Sequence, residues 1–189
     1  MHSVDGQMEM SSSGRCWVVL VWLSICLTSY PAQAGRPVRS LAEIRHERVV
    51  MQKWDLSCGA AALATLLTYD LNDPVPEREI ATAMLRRTEP LKVRAQGGFS
   101  LLDLQQYTQA RGYEADGYGE LTFMDLQGMA PAIVPVRVHG YDHFVVFRGV
   151  RGGDVLFADP AYGNRTMPIP EFERIWQQKV AFVVARPNQ

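Results

Sequence analysis

The sequence predicts an α+β domain: helix-period apolar segments fill its first half, β-rich runs separated by turn residues fill its second, and no βαβ alternation links the two. Of the 189 residues 47% are hydrophobic and 21% charged, which suits one packed core. Ahead of that domain, Arg15 precedes an apolar run from Cys16 to Leu27, followed by Pro31-Ala32-Gln33-Ala34. A basic flank, a run shorter than the roughly 20 residues of a membrane span, and small residues at Ala32 and Ala34 read as a secretory signal peptide. The same stretch kept uncleaved would be an anchor. The expected organisation is therefore a signal peptide at residues 1–34, a charged leading arm or short helix at 35–49, and the folded domain at 50–189.

Cys58 to Tyr69 is Ala- and Leu-rich, with Ser57 available as N-cap, and is expected to be a buried helix beginning at or next to Cys58. Pro76 and Glu77 open a second helix that runs to Met84, and Thr88 to Gly98, containing Pro90 and Gly97-Gly98, is expected to be a loop. Ser100 and Asp103 form a capping pair for a third helix, with Leu101, Leu104 and Tyr107 or Thr108 on one face and Gly112 as its stop. Beyond it the period shortens. Tyr113 to Tyr118 and Ala132 to His139 read as strands, with one or two helical turns between them at Phe123 to Met129. His143 to Val150 and Val155 to Asp159 are β-rich runs joined by Arg151-Gly152-Gly153-Asp154, a hairpin signal. Pro160 to Gly163 is a turn, Thr166 to Ile169 a strand, Pro170 to Trp176 a short helix with Pro at its start, and Val180 to Ala185 the last strand.

The charge balance excludes one class of partner. The formal net charge is −1, and the acidic and basic side chains of Gly35 to Gln189 are equal in number, so no basic surplus is present to attract nucleic acid. The cysteines are more informative. Two of the three, Cys16 and Cys26, leave with the signal peptide, so the exported domain keeps Cys58 alone. A solitary cysteine in an exported protein is a buried core residue, a partner in an intermolecular disulfide, or a nucleophile.

Nucleophilic cysteine chemistry needs a thiolate, a base and donors for the oxyanion that forms on attack. Cys58 opens a helix, where the dipole and free N–H groups favour negative charge, and Gly59 leaves approach to the sulfur open. Gln52 lies in the loop entering that helix and offers a side-chain amide beside the Cys58 N–H as an oxyanion hole. After cleavage the histidines are His46, His139 and His143. His143 begins a buried strand, whereas His139 precedes Gly140 and reads as a turn residue. Asp159 ends the partner strand of the His143 hairpin and can orient the imidazole; Asp142 competes, although adjacent strand residues point to opposite faces.

Taken in order, Gln52-Lys-Trp-Asp-Leu-Ser-Cys58-Gly-Ala-Ala-Ala-Leu63, Asp142-His143-Phe-Val-Val-Phe147 and Asp159-Pro-Ala-Tyr-Gly163 resemble the three motifs of the bacteriocin-processing, double-glycine leader peptidases, cysteine peptidase family thirty-nine. The resemblance spans about Val50 to Val184 and implies a papain-like fold, with Cys58 as nucleophile, His143 as general base, Asp159 as orienter, Gln52 as oxyanion donor, and neither metal nor cofactor. Ser57 stands where the family usually has Asp, and Ala62 where a second Cys is common. Most members are cytosolic domains of membrane transporters, whereas the signal peptide here points to the periplasm. Stand-alone exported relatives resemble the peptidase-like protein that accompanies secreted functional amyloid. Gly97-Gly98 and Gly152-Gly153 match the family's substrate motif but read as loop glycines. The expected activity is an exported cysteine endopeptidase acting on an extended or disordered segment of an exported polypeptide. The alternatives are a non-catalytic escort domain for a secretion or amyloid partner, and an acyl or amide transferase using the same thioester.

Overall fold

A computed structural model describes residues 38–187; the expected signal peptide, residues 1–34, lies outside the described residues. Arg39–Gln189 forms one compact unit. In chain order its elements are α1 (Leu41–His46), α2 (Cys58–Tyr69), α3 (Glu77–Leu85), α4 (Pro90–Gln96), α5 (Leu101–Ala110), β1 (Glu114–Tyr118), α6 (Phe123–Gly128), β2 (Ala132–Val138), β3 (Tyr141–Arg151), β4 (Asp154–Asp159), β5 (Gly163–Pro168), α7 (Ile169–Ile175) and β6 (Ala181–Ala185). The strands make one antiparallel sheet in the order β1-β6-β2-β3-β4-β5, and the α+β expectation holds.

The sheet is covered on both faces, because alternate residues of its strands point in opposite directions. Ile133, Val146, Ala158, Phe182 and Val184 pack with α2, α3 and α5. Their neighbours Val134, Val145, Phe147, Phe157 and Ala181 pack on the other face with Leu126 of α6 and with Phe172 and Trp176. Helix α2 is the axis of the first layer. Every residue from Cys58 to Leu67 is buried, as its nearly uniform apolar sequence requires. The second layer is organised around Phe172, fully buried, whose ring lies 5.8 Å from Phe147, 6.0 Å from Phe157, 6.3 Å from Trp176 and 6.4 Å from Phe123.

Two tight hairpins set the register of the central strands. His139 (φ 52°) with Gly140 (φ 83°) connects β2 to β3, and Gly152 (φ 61°) with Gly153 (φ 90°) connects β3 to β4. Left-handed conformation at both loop positions is the requirement of a type I′ turn, so the expected hairpin at Gly152-Gly153 forms and His139 is a turn residue. Three local expectations change. The segment Thr88 to Gly98 is not a loop throughout, because Pro90 occupies the first turn of α4 and Gly97 (φ 76°) ends it in the left-handed conformation. Strand β5 begins at Gly163 and ends at Pro168, ahead of the expected Thr166 to Ile169, since it pairs with β4 from Asp159↔Gly163 onward. The leading segment contains α1, capped by a reciprocal Ser40–Glu43 box. Asn164 of β5 donates to the carbonyls of Ile44 and Glu47 near the end of α1.

Replacing Phe172 by Ala removes the ring at the centre of the aromatic layer and is expected to cost about 3–5 kcal/mol in urea unfolding. The control is Leu102→Ala, at a residue 57% exposed; it should stay within about 0.5 kcal/mol of wild type. Equal effects for the two would contradict the layer assignment.

Candidate active site

Cys58 is the first residue of α2, only 5% exposed, and lines a cleft of about 290 Å³. The walls are the α4–α5 connection at Gly97 to Ser100, the strand residues Pro135, Arg137, Asp142 and Phe144, and the segment Gln177 to Val180. His143 lines the same cleft. Ser57 does not cap α2 with its side chain as expected. Its hydroxyl instead lies 2.7 Å from the Trp54 carbonyl and 2.5 Å from Oε1 of the buried Glu77. Gly59 also has a different use. A Cβ there would lie 3.2 Å from Leu104 and 3.3 Å from Phe144, so the glycine admits α5 and β3 close against α2 rather than clearing a path to sulfur.

His143 and Asp159, the expected base and orienter, stand at neighbouring strand ends. His143 Nε2 is 2.8 Å from Asp159 Oδ1, which also accepts the Ala161 N–H at 2.8 Å. Arg165 reaches Asp159 Oδ2 at 3.3 Å and is stacked over the rings of Phe157 and Tyr162. With Nε2 engaged by Asp159, Nδ1 is the ring nitrogen left free to face the cleft that Cys58 also lines. Asp142, the competing orienter, is held instead by Arg137 across the β2–β3 hairpin, at 2.8 and 3.0 Å. His139 stands in the turn and His46 at the end of α1, so His143 is the histidine brought to the thiol.

Burial alone would depress the basicity of His143, but its bond to Asp159, the nearby Cys58 side chain and the negative charge of Asp159 outweigh that and raise its pKa to about 9. For Asp159 burial pulls upward, and the bond to and charge of His143, the Ala161 amide and Arg165 together bring the carboxyl below its ordinary range. The pair therefore favours an imidazolium held against a carboxylate.

Gln52 is in the loop entering α2, where its N–H donates to the Pro160 carbonyl at 2.8 Å, joining this loop to the turn after Asp159. Its side-chain Nε2 donates to the Trp54 carbonyl at 3.2 Å, leaving a second N–H, while Oε1 is buried and unpartnered among the described residues. Among those residues no group of three or more His, Cys, Asp or Glu gathers that could hold a metal ion, and no helix is long and apolar enough to cross a membrane. Glu77, which ties down the loop before Cys58, carries no sequence signal, because a Glu in the first turn of a helix is expected at the surface.

The fold, with a thiol, an imidazole and a carboxylate gathered at one cleft, is that of a papain-like cysteine peptidase. Residues 46–188 match the Peptidase C39 family, and the chain belongs to it. A probable functional amyloid protease, FapD, of Pseudomonas aeruginosa is 36% identical over 91% of this chain and 80% of its own length. The FapD of Pseudomonas fluorescens is 37% identical over 75% of this chain, which spans 62% of that relative. Among solved structures, a double glycine motif protease from an AMS/PCAT transporter in complex with the leader peptide is 28% identical over 73% of this chain and 90% of its own, with a TM-score of 0.60. The peptidase domain of Streptococcus ComA, 21% identical over 75% of this chain and 99% of its own, shares the fold with a TM-score of 0.61.

The raised pKa sets a pH expectation. The folded value lies above the ordinary 6.5, so the stability from this pairing is complete below about pH 6.5 and is lost as pH rises through about 9. Imidazole NMR titration should place the His143 midpoint near 9. Asp159→Asn should move it down, since burial then prevails. A wild-type midpoint near 6.5, or one unmoved by Asp159→Asn, would contradict the pairing.

Proposed function

We propose that this protein is an exported cysteine endopeptidase that cleaves an extended segment of an exported polypeptide through Cys58, His143 and Asp159. The observation that carries the reading is the His143 Nε2–Asp159 Oδ1 contact of 2.8 Å, with His143 and Cys58 lining the same open cleft. In the reaction the Cys58 thiolate adds to the scissile carbonyl carbon. The oxyanion is met by the backbone N–H of Cys58 and the free amide N–H of Gln52. Collapse breaks the C–N bond as the His143 imidazolium gives its proton to the departing amine, leaving a thioester. Neutral His143 then takes a proton from water, the hydroxide displaces the sulfur, and the new carboxylate leaves. Asp159 keeps Nε2 occupied throughout, so Nδ1 faces the sulfur.

The substrate is read from the cleft and from the relatives. Gly97, Gly98 and Pro135 make a cleft wall that suits an extended backbone better than a folded surface. A signal peptide at residues 1–34 supports a periplasmic location, and the names of the Pseudomonas relatives support a polypeptide of functional-amyloid assembly as the partner. A glycine or alanine just before the scissile bond fits this cleft.

Cys58→Ala and His143→Ala should each lower turnover of such a peptide at least about 10³-fold with the circular dichroism of wild type; the urea midpoint should stay near wild type for Cys58→Ala and fall for His143→Ala, which takes a partner from the buried Asp159. His139→Ala should leave the rate unchanged. Turnover persisting in Cys58→Ala would contradict the mechanism, and tight binding by wild type without cleavage would favour an escort role.

A further inference from the structure

Glu77 is a buried carboxylate that the steps above do not use. It stands in the first turn of α3 with 3% of its surface exposed. Its Oε1 accepts the Lys53 backbone N–H at 3.0 Å and lies 2.5 Å from the Ser57 hydroxyl. Its Oε2 is buried without a partner among the described residues. A carboxylate buried with half its acceptor capacity unfilled costs stability, so the bonds that it does make call for a role.

Those bonds grip both ends of a single turn. Between Lys53 and Ser57 the chain turns back, closed by Ser57 N–H donating to the Trp54 carbonyl at 3.2 Å. The Ser57 hydroxyl lies 2.7 Å from that carbonyl and accepts the Trp54 N–H at 3.3 Å. Gln52 Nε2 donates to the same Trp54 carbonyl, at 3.2 Å. One carbonyl therefore orients the Gln52 amide, and the residue that closes the turn is joined directly to Cys58.

We propose that Glu77 is a positioning residue for the peptidase reaction, holding the Lys53–Ser57 turn so that the Cys58 N–H and the Gln52 amide converge on the oxyanion. The inference rests on the peptidase reading above. Two bonds from one buried side chain fix both ends of the turn, and a donor displaced by a fraction of an ångström loses its grip on a charge that develops only in the transition state. Removing Glu77 should therefore damage the chemical step and spare the binding of uncleaved substrate.

The test separates those two. For Glu77→Ala, kcat should fall about 100-fold with KM within about 3-fold of wild type, and the affinity for a peptide aldehyde, whose adduct carries the oxyanion, should fall by a similar factor. A fluorescent substrate peptide should bind Cys58→Ala and the double variant Cys58→Ala with Glu77→Ala equally. Glu77→Gln keeps an acceptor for Lys53 and Ser57 and should restore kcat to within about 10-fold of wild type. Ser57→Ala cuts the same link from its other end, and its kcat should fall in the same sense even where Glu77→Ala does not fold. Unchanged kcat in a folded Glu77→Ala or Ser57→Ala overturns the proposal, as does peptide binding that falls in step with kcat. A wild-type protein that neither cleaves peptide nor binds aldehyde overturns the peptidase reading itself, and this inference with it.

Discussion

The site depends on one buried carboxylate. Asp159 is 1% exposed, and an anion so far from water needs compensation from its immediate partners. It receives three: the imidazole of His143 and the Ala161 N–H on one oxygen, and Arg165 on the other. Each partner constrains the chain around it. The turn after β4 must return an amide two residues on, and Arg165 must reach back from β5, braced between two aromatic rings. His143 must stand near the start of β3 with Nε2 turned towards the sheet end, and its other nitrogen is thereby directed at the helix that begins with Cys58. The raised basicity of the imidazole follows from satisfying Asp159.

The second constraint comes from the loop before Cys58. It is fixed from two directions, by the Gln52 N–H on the Pro160 carbonyl and by Glu77 on Lys53 and Ser57. The first of these bonds joins the loop before Cys58 directly to the turn after Asp159. Helix α2 and the sheet are in turn locked at Gly59, where α5 and β3 approach too closely for a side chain to be added without displacement. The helical and sheet halves of the domain therefore meet closely beside the cleft that Cys58 and His143 line.

The parts of this arrangement legible in the sequence were those set by local patterns. The Ala- and Leu-rich run after Cys58, the Ser100–Asp103 capping box and the Gly152-Gly153 turn each specify their own structure within a few residues. The choice between Asp142 and Asp159 followed from strand alternation, and the structure brings Asp159 to the imidazole while Arg137 takes Asp142. What was not legible depended on contacts distant in sequence. Pro90 and Gly97 carried the signals of a helix start and stop, but with only six residues between them they read as loop punctuation. Ser57 looked like a cap because its true partner, Glu77, is 20 residues away on another helix. The purpose of Gly59 was likewise hidden, since Leu104 and Phe144 approach it only in the folded chain.

The central claim is that Cys58 forms a covalent acyl bond to its substrate with the assistance of His143. Acid quenching of the wild-type protein milliseconds to seconds after mixing with a cleavable peptide, followed by intact-mass and fragment-ion spectrometry, reads that bond directly. The account predicts an adduct with the mass of the amino-terminal product attached at Cys58, appearing before free carboxylate product and missing from Cys58→Ala and His143→Ala. Cleavage with no adduct at any time, or an adduct on a residue other than Cys58, would contradict it.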